Sequence, residues 1–402
     1  MNESQKKVVV IGTGYVGLPL AIMLAKENYK VVGVDIDKNI VKAINDGELH
    51  IKEKQLDKIL KEPGVKKNII AQEKPCEGEI FVIAVPTPLH KRKKNADLTF
   101  VEAALHSLLP FLKIGNLIII ESTIPPLTCK EFVIPLIENS TKMVVGEDVF
   151  LAHCPERILP GDIFQEIVNN DRIIGGVNKK SSDLAAEMYS SFVKGELYKT
   201  DDVTAETCKL MENTYRDVNI ALANELSIVS DTLGIDVNEA IDLANKHPRV
   251  KLLHPGIGVG GHCIPIDPWF ITEVDPANTI LINSARRVND NMPSLIARRI
   301  RVKLKDIENP KIVVVGLAYK PNTHDMRESP AIAIVNILRG EGYDVESYDP
   351  LVEGKEYLSL VDITKGKDSL IVLVEHDVII QDLYRNKNLI LENLNHNLII
   401  RF

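Results

Sequence analysis

Aromatic residues are scarce in this 402-residue chain, at 5%, and tryptophan occurs once, at Trp269. A block of like charge is missing too. Lys and Arg number 48 against 56 Asp and Glu, a formal net charge of −8, and the cations are dispersed along the chain. That argues against nucleic acid or an anionic membrane as the main partner. No apolar run approaches the ~18–20 residues of a membrane span. The five cysteines (76, 129, 154, 208 and 263) are scattered, odd in number and form no CxxC. This argues against a disulfide framework or a zinc knuckle and points to a reducing cytoplasm. The opening MNESQKK leads directly into the strand-like VVVIG, and no signal peptide is expected. With 45% hydrophobic and 26% charged residues, the composition is that of a globular protein. The length exceeds one ordinary core, so two or three domains are expected.

The first domain opens with a β-branched run, Val8–Ile11, then Gly12-Thr-Gly14-Tyr-Val-Gly17, then apolar residues at helical spacing from Leu18 to Ala25. A second strand, Lys30–Val34, ends in Asp35, 18 residues after Gly17. This βαβ context is what makes GxGxxG a dinucleotide fingerprint. Gly12 permits the tight turn, Gly14 lets a pyrophosphate approach, and Gly17 lets helix and strand pack closely. The phosphates sit on the helix N-terminus. Asp35 is placed to accept from the adenosine ribose hydroxyls, and a carboxylate there repels a 2′-phosphate, so NAD is favoured over NADP. Pro19 is tolerated only in the first turn of the helix. Further strands are expected at Ile80–Val85, Leu117–Glu121, Val149–Ala152 and Arg172–Gly175, and a helix from Ser181 to about Phe192. The loops PTPLHKRKKNADL, STIPPLT and HCPERILPG follow the first three strands. In an open parallel sheet, ligands bind at the carboxyl ends of the strands. Thr87, Thr123 and Glu156 therefore face cofactor or substrate, or else the two threonines cap the next helices. The patch His90–Lys94 reads as a solvated loop.

From Asp202 to about Leu233 the pattern is continuously helical, with Asp201 or Asp202 as N-cap and Gly234 at the far end. Helices of this length often bridge domains or form dimer contacts, and here the apolar residues exceed one face. Lys209, Asn213 and Arg216 line one face. Such a stripe is either solvated or a place where one cation holds a phosphate and another steadies negative charge. A second helix, Val237–Lys246, leads through His247-Pro-Arg249 to LHPGIGVGGHCIPIDPWF, Leu253–Phe270. Its glycines at 256, 258, 260 and 261 suit a loop whose backbone comes close to something, and Cys263 stands just after them, beyond His262. Alone, Cys263 reads equally well as an inert residue. Asn283–Lys305 is a further helix, whose arginines (286, 287, 298, 299 and 301) read as surface charge. His254, His262 and Cys263 match no zinc spacing, and no metal is expected.

Lys311–Gly316 opens a second, smaller α/β unit, with a helix through about Leu338 and strands at 345–350, Ser369–Val374 and Leu398–Ile400. It lacks GxGxxG, so a second dinucleotide in the same mode is not expected. Tyr319, Lys320 and Arg327 suit a different phosphate-bearing ligand. The resulting architecture is α/β: two Rossmann-like domains joined by a helical middle domain with one long helix. The boundaries are 1–198, 199–308 and 309–402, and the ligand cleft is expected between the α/β units.

The segments GTGYVGLPLA, CPERILPG, CKLMENTYRDVNIALANEL, the glycine loop to Cys263 and GLAYKPNTHDMRESPA resemble the UDP-glucose/GDP-mannose dehydrogenase superfamily along essentially the whole chain. The form GGHC…DPWF, with His247-Pro-Arg249, is similar to its UDP-N-acetylhexosamine branch. The resemblance implies a four-electron oxidation at sugar C6, using two NAD per sugar, with Cys263 forming a thiohemiacetal and then a thioester. It implies Lys209 as the cation beside the thiolate and oxyanion. Asp267 then orients Lys209 or a water, and Glu156 handles the hydrolytic water. For the cofactor it adds Tyr15, Val16, Thr87, Thr123 and Arg327 to the glycines and Asp35. For the UDP-sugar it implies Arg157, Ile158, Lys209, Asn213, Arg216, His247, Arg249, Gly260, Tyr319 and Lys320. The long helix itself, with apolar residues beyond one face, argues for a homodimer or homotetramer. The role of His262 stays open between tuning Cys263, contacting the N-acetyl group and packing, with packing or substrate shape favoured. The sugar epimer stays open among the UDP-N-acetylhexosamines. Two other classes stay open as well: a one-step NAD alcohol dehydrogenase with a structural Cys263, and an NAD-binding redox sensor.

Overall fold

The computed structural model describes residues 5–51, 53–90, 92–158, 161–352 and 359–402. Lys91, in the expected solvated patch, and Leu159 and Pro160, in the loop after Glu156, lie outside the described residues. The chain divides into two compact units. The first comprises residues 1–212 with 269–275, and the second comprises 213–268 with 276–402.

The first unit is built on an eight-stranded sheet. Its strands are β1 (Lys7–Ile11), β2 (Lys30–Val34), β3 (Ile69–Gln72) and β4 (Ile80–Ile83), then β7 (Leu117–Ile120), β8 (Phe150–His153), β9 (Arg172–Gly176) and β10 (Leu197–Asp201). A two-stranded hairpin, β5 (Leu89–His90) with β6 (Asn95–Ala96), interrupts the numbering. The spatial order is β10-β9-β8-β7-β4-β1-β2-β3. From β3 to β8 every pairing is parallel, so the loops after β1, β2, β4, β7 and β8 leave along one edge. β9 is antiparallel to β8, a reversal not expected from the sequence. Strands buried on both faces read as unbroken apolar runs. In β1, Val8 and Val10 pack with Leu18 and Leu24 of the helix Gly17–Lys26, while Val9 and Ile11 pack with Leu105 and Ile118 on the other face. β10 escaped sequence reading because LYKTD is a polar, largely exposed edge strand.

The patch at His90–Lys94 is more than a solvated loop. Lys94 Nζ lies 4.8 Å from the centre of the Trp269 ring, and the Ala96 N–H donates to Glu273 at 2.7 Å. The hairpin is thereby fastened to residues 269–275.

The second unit carries the four-stranded parallel sheet β12-β11-β13-β14: β11 Lys311–Val315, β12 Asp344–Tyr348, β13 Ser369–Val372 and β14 Leu398–Arg401. Ile312 and Val314 face Ile334, Leu338 and Ile296, and Val313 and Val315 face Ile379, Leu383 and Ile390. The helix Asp377–Asn393, which supplies the latter, was not anticipated.

The long helix spans Asp202–Leu233, 32 residues. Asp201 caps it, accepting from the Thr204 N–H (2.8 Å) and hydroxyl (2.7 Å), and Gly234 ends it at φ +68°. The helix Ile280–Leu304 packs beside its second half, and one expectation fails there. Arg286 is not surface charge; it is among the most buried side chains of the protein, ion-paired with buried Asp217 and bonded to Asp290. A buried cation needs such a counter-ion because its desolvation is expensive. Asn289 donates to Asp217 Oδ1 at 2.8 Å, Asn224 donates to Asn289 at 2.9 Å, and the Gly256 N–H donates to Asn224 at 2.9 Å. The chain of bonds runs from the helix pair to the start of the glycine loop.

Candidate active site

At the end of β1 each glycine has a distinct cause. Gly12 sits at φ +89° and donates to the Val34 carbonyl at 2.8 Å; a Cβ there would stand 2.4 Å from the Ala84 carbonyl oxygen. A Cβ on Gly17 would stand 1.9 Å from the Gly12 oxygen, so the helix can start against the turn only with glycine. Around Gly14, by contrast, no described atom lies within 4 Å of a Cβ position. Among the described residues no side chain caps the helix Gly17–Lys26. Open space and uncapped N–H groups coincide, as a pyrophosphate requires. Asp35 Oδ2 accepts from the Thr13 N–H (3.0 Å) and hydroxyl (2.9 Å), which aims the half-buried carboxylate across the turn. Tyr15 is exposed and Val16 half-buried at the same turn. The residues fit a dinucleotide.

The next loops leave the same edge. After β4, the half-buried Thr87 has a buried hydroxyl oxygen with no partner among the described residues. It is therefore not spent as a helix cap. After β7, Ser122 accepts from the Val85 N–H (2.9 Å) and donates to the Val85 carbonyl (2.7 Å), tying the Thr123 loop to the Thr87 loop. Glu206 reaches this loop from the long helix. It accepts from the N–H groups of Leu127 (2.7 Å) and Cys129 (2.8 Å), and Leu127 is held at φ +73°.

After β8, Glu156 is ion-paired with buried Arg172, and its other oxygen accepts from the N–H of Arg157 (2.7 Å) and of Ile158 (3.2 Å). Arg172 also meets Glu121 at 3.1 Å and lies over the Tyr189 ring at 4.4 Å, while the Tyr189 hydroxyl donates to Glu121 at 2.6 Å. Burial pushes the Glu121 carboxyl up against the pull of Arg172. Sequence reading missed Arg172, Glu121 and Tyr189, since an arginine opening a short strand carries no motif. Arg157 pairs with Glu212 at 2.7 Å. Lys209 is buried, at 6% exposure. The neighbouring His153 is pushed down to about 3, mainly by burial with the Lys209 charge adding, so it is neutral beside that ammonium.

In the second unit the glycine loop is pressed against the segment after β11. A Cβ on Gly260 would stand 2.6 Å from the Glu328 carbonyl oxygen, and one on Gly261, at φ +88°, 2.9 Å from the Tyr319 ring. Cys263 is exposed, and its carbonyl accepts from the N–H groups of Ile266 (3.0 Å) and Asp267 (2.9 Å). Burial raises the Tyr319 hydroxyl, and the charges of Asp325 and Cys263 raise it further, while Arg327 and Arg216 pull it down. Buried Asp267 accepts from Asn213 Nδ2 at 2.6 Å. Asp325 forks onto Arg327 (Nε–Oδ1 2.9 Å, Nη2–Oδ2 2.7 Å) and lies 3.6 Å from His262 Nε2. His262 is pushed down by burial first and by Arg327 second, which favours its neutral form. Lys320 Nζ lies 5.7 Å from the Tyr319 ring centre. Exposed His247 accepts from the Arg249 N–H at 3.3 Å, and Arg249, with Tyr215 and Asn219, lines a concavity of about 420 Å³. Among the described residues no three His, Cys, Asp or Glu side chains gather as a metal site, and no helix is long and apolar enough to cross a membrane.

Three family models match in succession. Residues 6–193 match the NAD binding domain of the UDP-glucose/GDP-mannose dehydrogenase family, residues 203–291 its central domain, and residues 313–400 its UDP binding domain. The chain belongs to the UDP-glucose/GDP-mannose dehydrogenase family, and its cofactor is NAD. A UDP-N-acetyl-D-mannosamine dehydrogenase from Methanococcus maripaludis is 49% identical over 380 residues, covering 93% of this chain and 87% of that protein. The solved UDP-D-ManNAc dehydrogenase of Pyrococcus horikoshii is 42% identical with a TM-score of 0.91, covering 98% of this chain and 94% of that one. An NDP-N-acetyl-D-galactosaminuronic acid dehydrogenase from Ralstonia solanacearum is 41% identical over 385 residues, 92% of this chain and 91% of that one.

Glu206 yields a pH prediction. Burial pushes its carboxyl up to about 7, against the pull of the Cys129 and Leu127 donors. The folded value lies above the unfolded one of about 4.3. Its contribution to stability is therefore complete below about pH 4.3 and is lost as pH rises through about 7. The stability of the wild type relative to Glu206→Gln should fall by about 2–3 kcal/mol between pH 5 and pH 8 in urea unfolding. A difference independent of pH, or one that grows, contradicts this.

Proposed function

We propose that the protein oxidises C6 of UDP-N-acetyl-D-mannosamine to the carboxylate, giving UDP-N-acetyl-D-mannosaminuronate. The observation that carries the proposal is an exposed Cys263 just after the glycines seated against Tyr319. The names of the 49% and 42% identical relatives support the choice of sugar. NAD, when bound, supplies the hydride acceptor. The C6 alcohol first loses its hydroxyl proton and one hydride to give the aldehyde. The thiolate of Cys263, the nucleophile, adds to that aldehyde, and the tetrahedral adduct loses a second hydride to become a thioester. Water then breaks the carbon–sulfur bond, and the thiol is regenerated. Lys209 is assigned to the developing oxyanion, where a buried ammonium acts without reorganisation. Glu156, held by Arg172 and two N–H groups, is assigned to orient the water. Asp267 and Asn213 form the supporting pair.

The UDP-sugar is assigned to Arg157, Ile158, Lys209, Asn213, Arg216, His247, Arg249, Gly260, Tyr319 and Lys320, because arginine forks and a lysine suit a diphosphate. The cofactor is assigned to Gly12, Gly14, Tyr15, Val16, Gly17, Asp35, Thr87, Thr123 and Arg327. The enzyme is assigned to the cytoplasm from its scattered cysteines.

The second copy of the chain is assigned to the long helix. Met211, Tyr215, Leu222, Val229 and Leu233 are exposed along it at 45–64%, with a spacing close to a heptad stripe. An apolar stripe of this length is expected to be covered.

Two measurements test these assignments. In NAD reduction with UDP-ManNAc, UDP-GlcNAc, UDP-GalNAc and UDP-glucose, kcat/KM for UDP-ManNAc should exceed the others by at least about tenfold, or ~1.4 kcal/mol of transition-state discrimination. A higher value for any other sugar contradicts the substrate assignment. In light scattering, the wild type should exceed the 44.8 kDa chain mass at least twofold. The double variant Leu222→Glu, Val229→Glu should run as the single chain. A monomeric wild type, or an unchanged mass in the variant, contradicts the interface.

A further inference from the structure

The two sheets repeat one turn. In the first unit the Gly12 N–H donates to the Val34 carbonyl at 2.8 Å, and the Thr13 N–H donates to Asp35 at 3.0 Å. In the second the Gly316 N–H donates to the Tyr348 carbonyl at 3.0 Å, and the Leu317 N–H donates to Asp349 Oδ2 at 2.6 Å. Both glycines have positive φ, +89° and +81°, and a Cβ on either would stand within 2.4 Å of a carbonyl oxygen. The carboxylates then part ways. Asp35 keeps an accessible edge, whereas Asp349 is fully buried and its oxygens are taken. Oδ2 also accepts from the Ala318 N–H at 3.0 Å and meets His376 Nε2 at 3.0 Å, and Oδ1 accepts from the Leu351 N–H at 2.9 Å.

His376 is equally buried. Its Nδ1 accepts from the Asn322 N–H at 2.8 Å. An accepting Nδ1 assigns the ring proton to Nε2, so the imidazole donates to Asp349. Burial raises the Asp349 carboxyl, but the His376, Leu351 and Leu317 donors outweigh it and hold the group below the usual carboxylate range, so it stays ionised. Asn322 stands at φ +59°, and its side-chain oxygen accepts from the Asp377 N–H at 3.0 Å. One imidazole thus fastens both ends of segment 317–322: Leu317 and Ala318 through Asp349, and Asn322 directly. Tyr319 and Lys320 lie between the two anchors.

We propose that His376 and Asp349 are a positioning pair that presets Tyr319 and Lys320 for the diphosphate of the sugar nucleotide. The inference rests on the assignment of those two residues to the substrate. Ordering the segment before the ligand arrives removes an ordering cost from binding. The pair therefore acts on the sugar nucleotide and not on NAD.

The test compares steady-state kinetics of His376→Ala, His376→Gln, His376→Asn and Lys320→Ala, using the best UDP-sugar of the panel and NAD. Lys320→Ala should raise KM for the UDP-sugar. His376→Ala should raise it about tenfold, with KM for NAD and kcat within about threefold. His376→Gln keeps a donor near the ε position and should recover most of the loss. If Lys320→Ala raises KM but His376→Ala leaves it unchanged, or shifts both KM values together, the positioning inference falls and the substrate reading stands. If Lys320→Ala leaves KM unchanged, the substrate reading of the segment falls and takes the inference with it. Should the alanine variant not fold, His376→Asn, which keeps an acceptor for Asn322 but no donor for Asp349, meets the same two outcomes.

Discussion

The contact on which the functional reading depends is the approach of Gly260 and Gly261 to Tyr319. A Cβ at either position would stand within 3 Å of the segment after β11. Any side chain there forces that segment away from the loop that carries Cys263. The same loop is fixed at its other end by the Gly256 N–H bond to Asn224, the last link of the network that begins at Arg286 and Asp217.

Buried charge recurs at the supports of both units. Arg172 stands between Glu121 and Glu156, and Arg286 between Asp217 and Asp290. A buried ion pair adds little net stability against an apolar replacement, but removing one partner strands a charge at a cost of about 3–5 kcal/mol. Such pairs fix geometry more than they stabilise. Arg172 holds Glu156 at the end of β8, and Asp217 holds the helix pair from which the glycine loop is hung.

Much of this was legible in the sequence. GTGYVG after a β-branched run predicted the turn: Gly12 stands at positive φ, and Gly17 lets the helix start against it. Asp201 and Gly234 bound the long helix where cap chemistry put them. What escaped was the pairing of distant charges. Arg286 lies in a helix rich in arginine, and nothing local separates the one buried against Asp217 from the others. Glu206 differs from its neighbours only in facing Leu127 and Cys129 across 77 or more residues. β10 escaped for the opposite reason: its stability comes from pairing with β9, and its side chains stay in solvent. His376 and Asp349 carry no motif at all, yet the repeated turn shows why the second sheet has no carboxylate to spare for a ribose.

The account stands on Cys263 carrying the sugar carbon through a second oxidation. The most direct measurement is the NADH formed per UDP-sugar consumed to completion, with the sugar product identified by mass. Two NADH and a carboxylate are predicted; one NADH with an aldehyde as the final product would contradict the account.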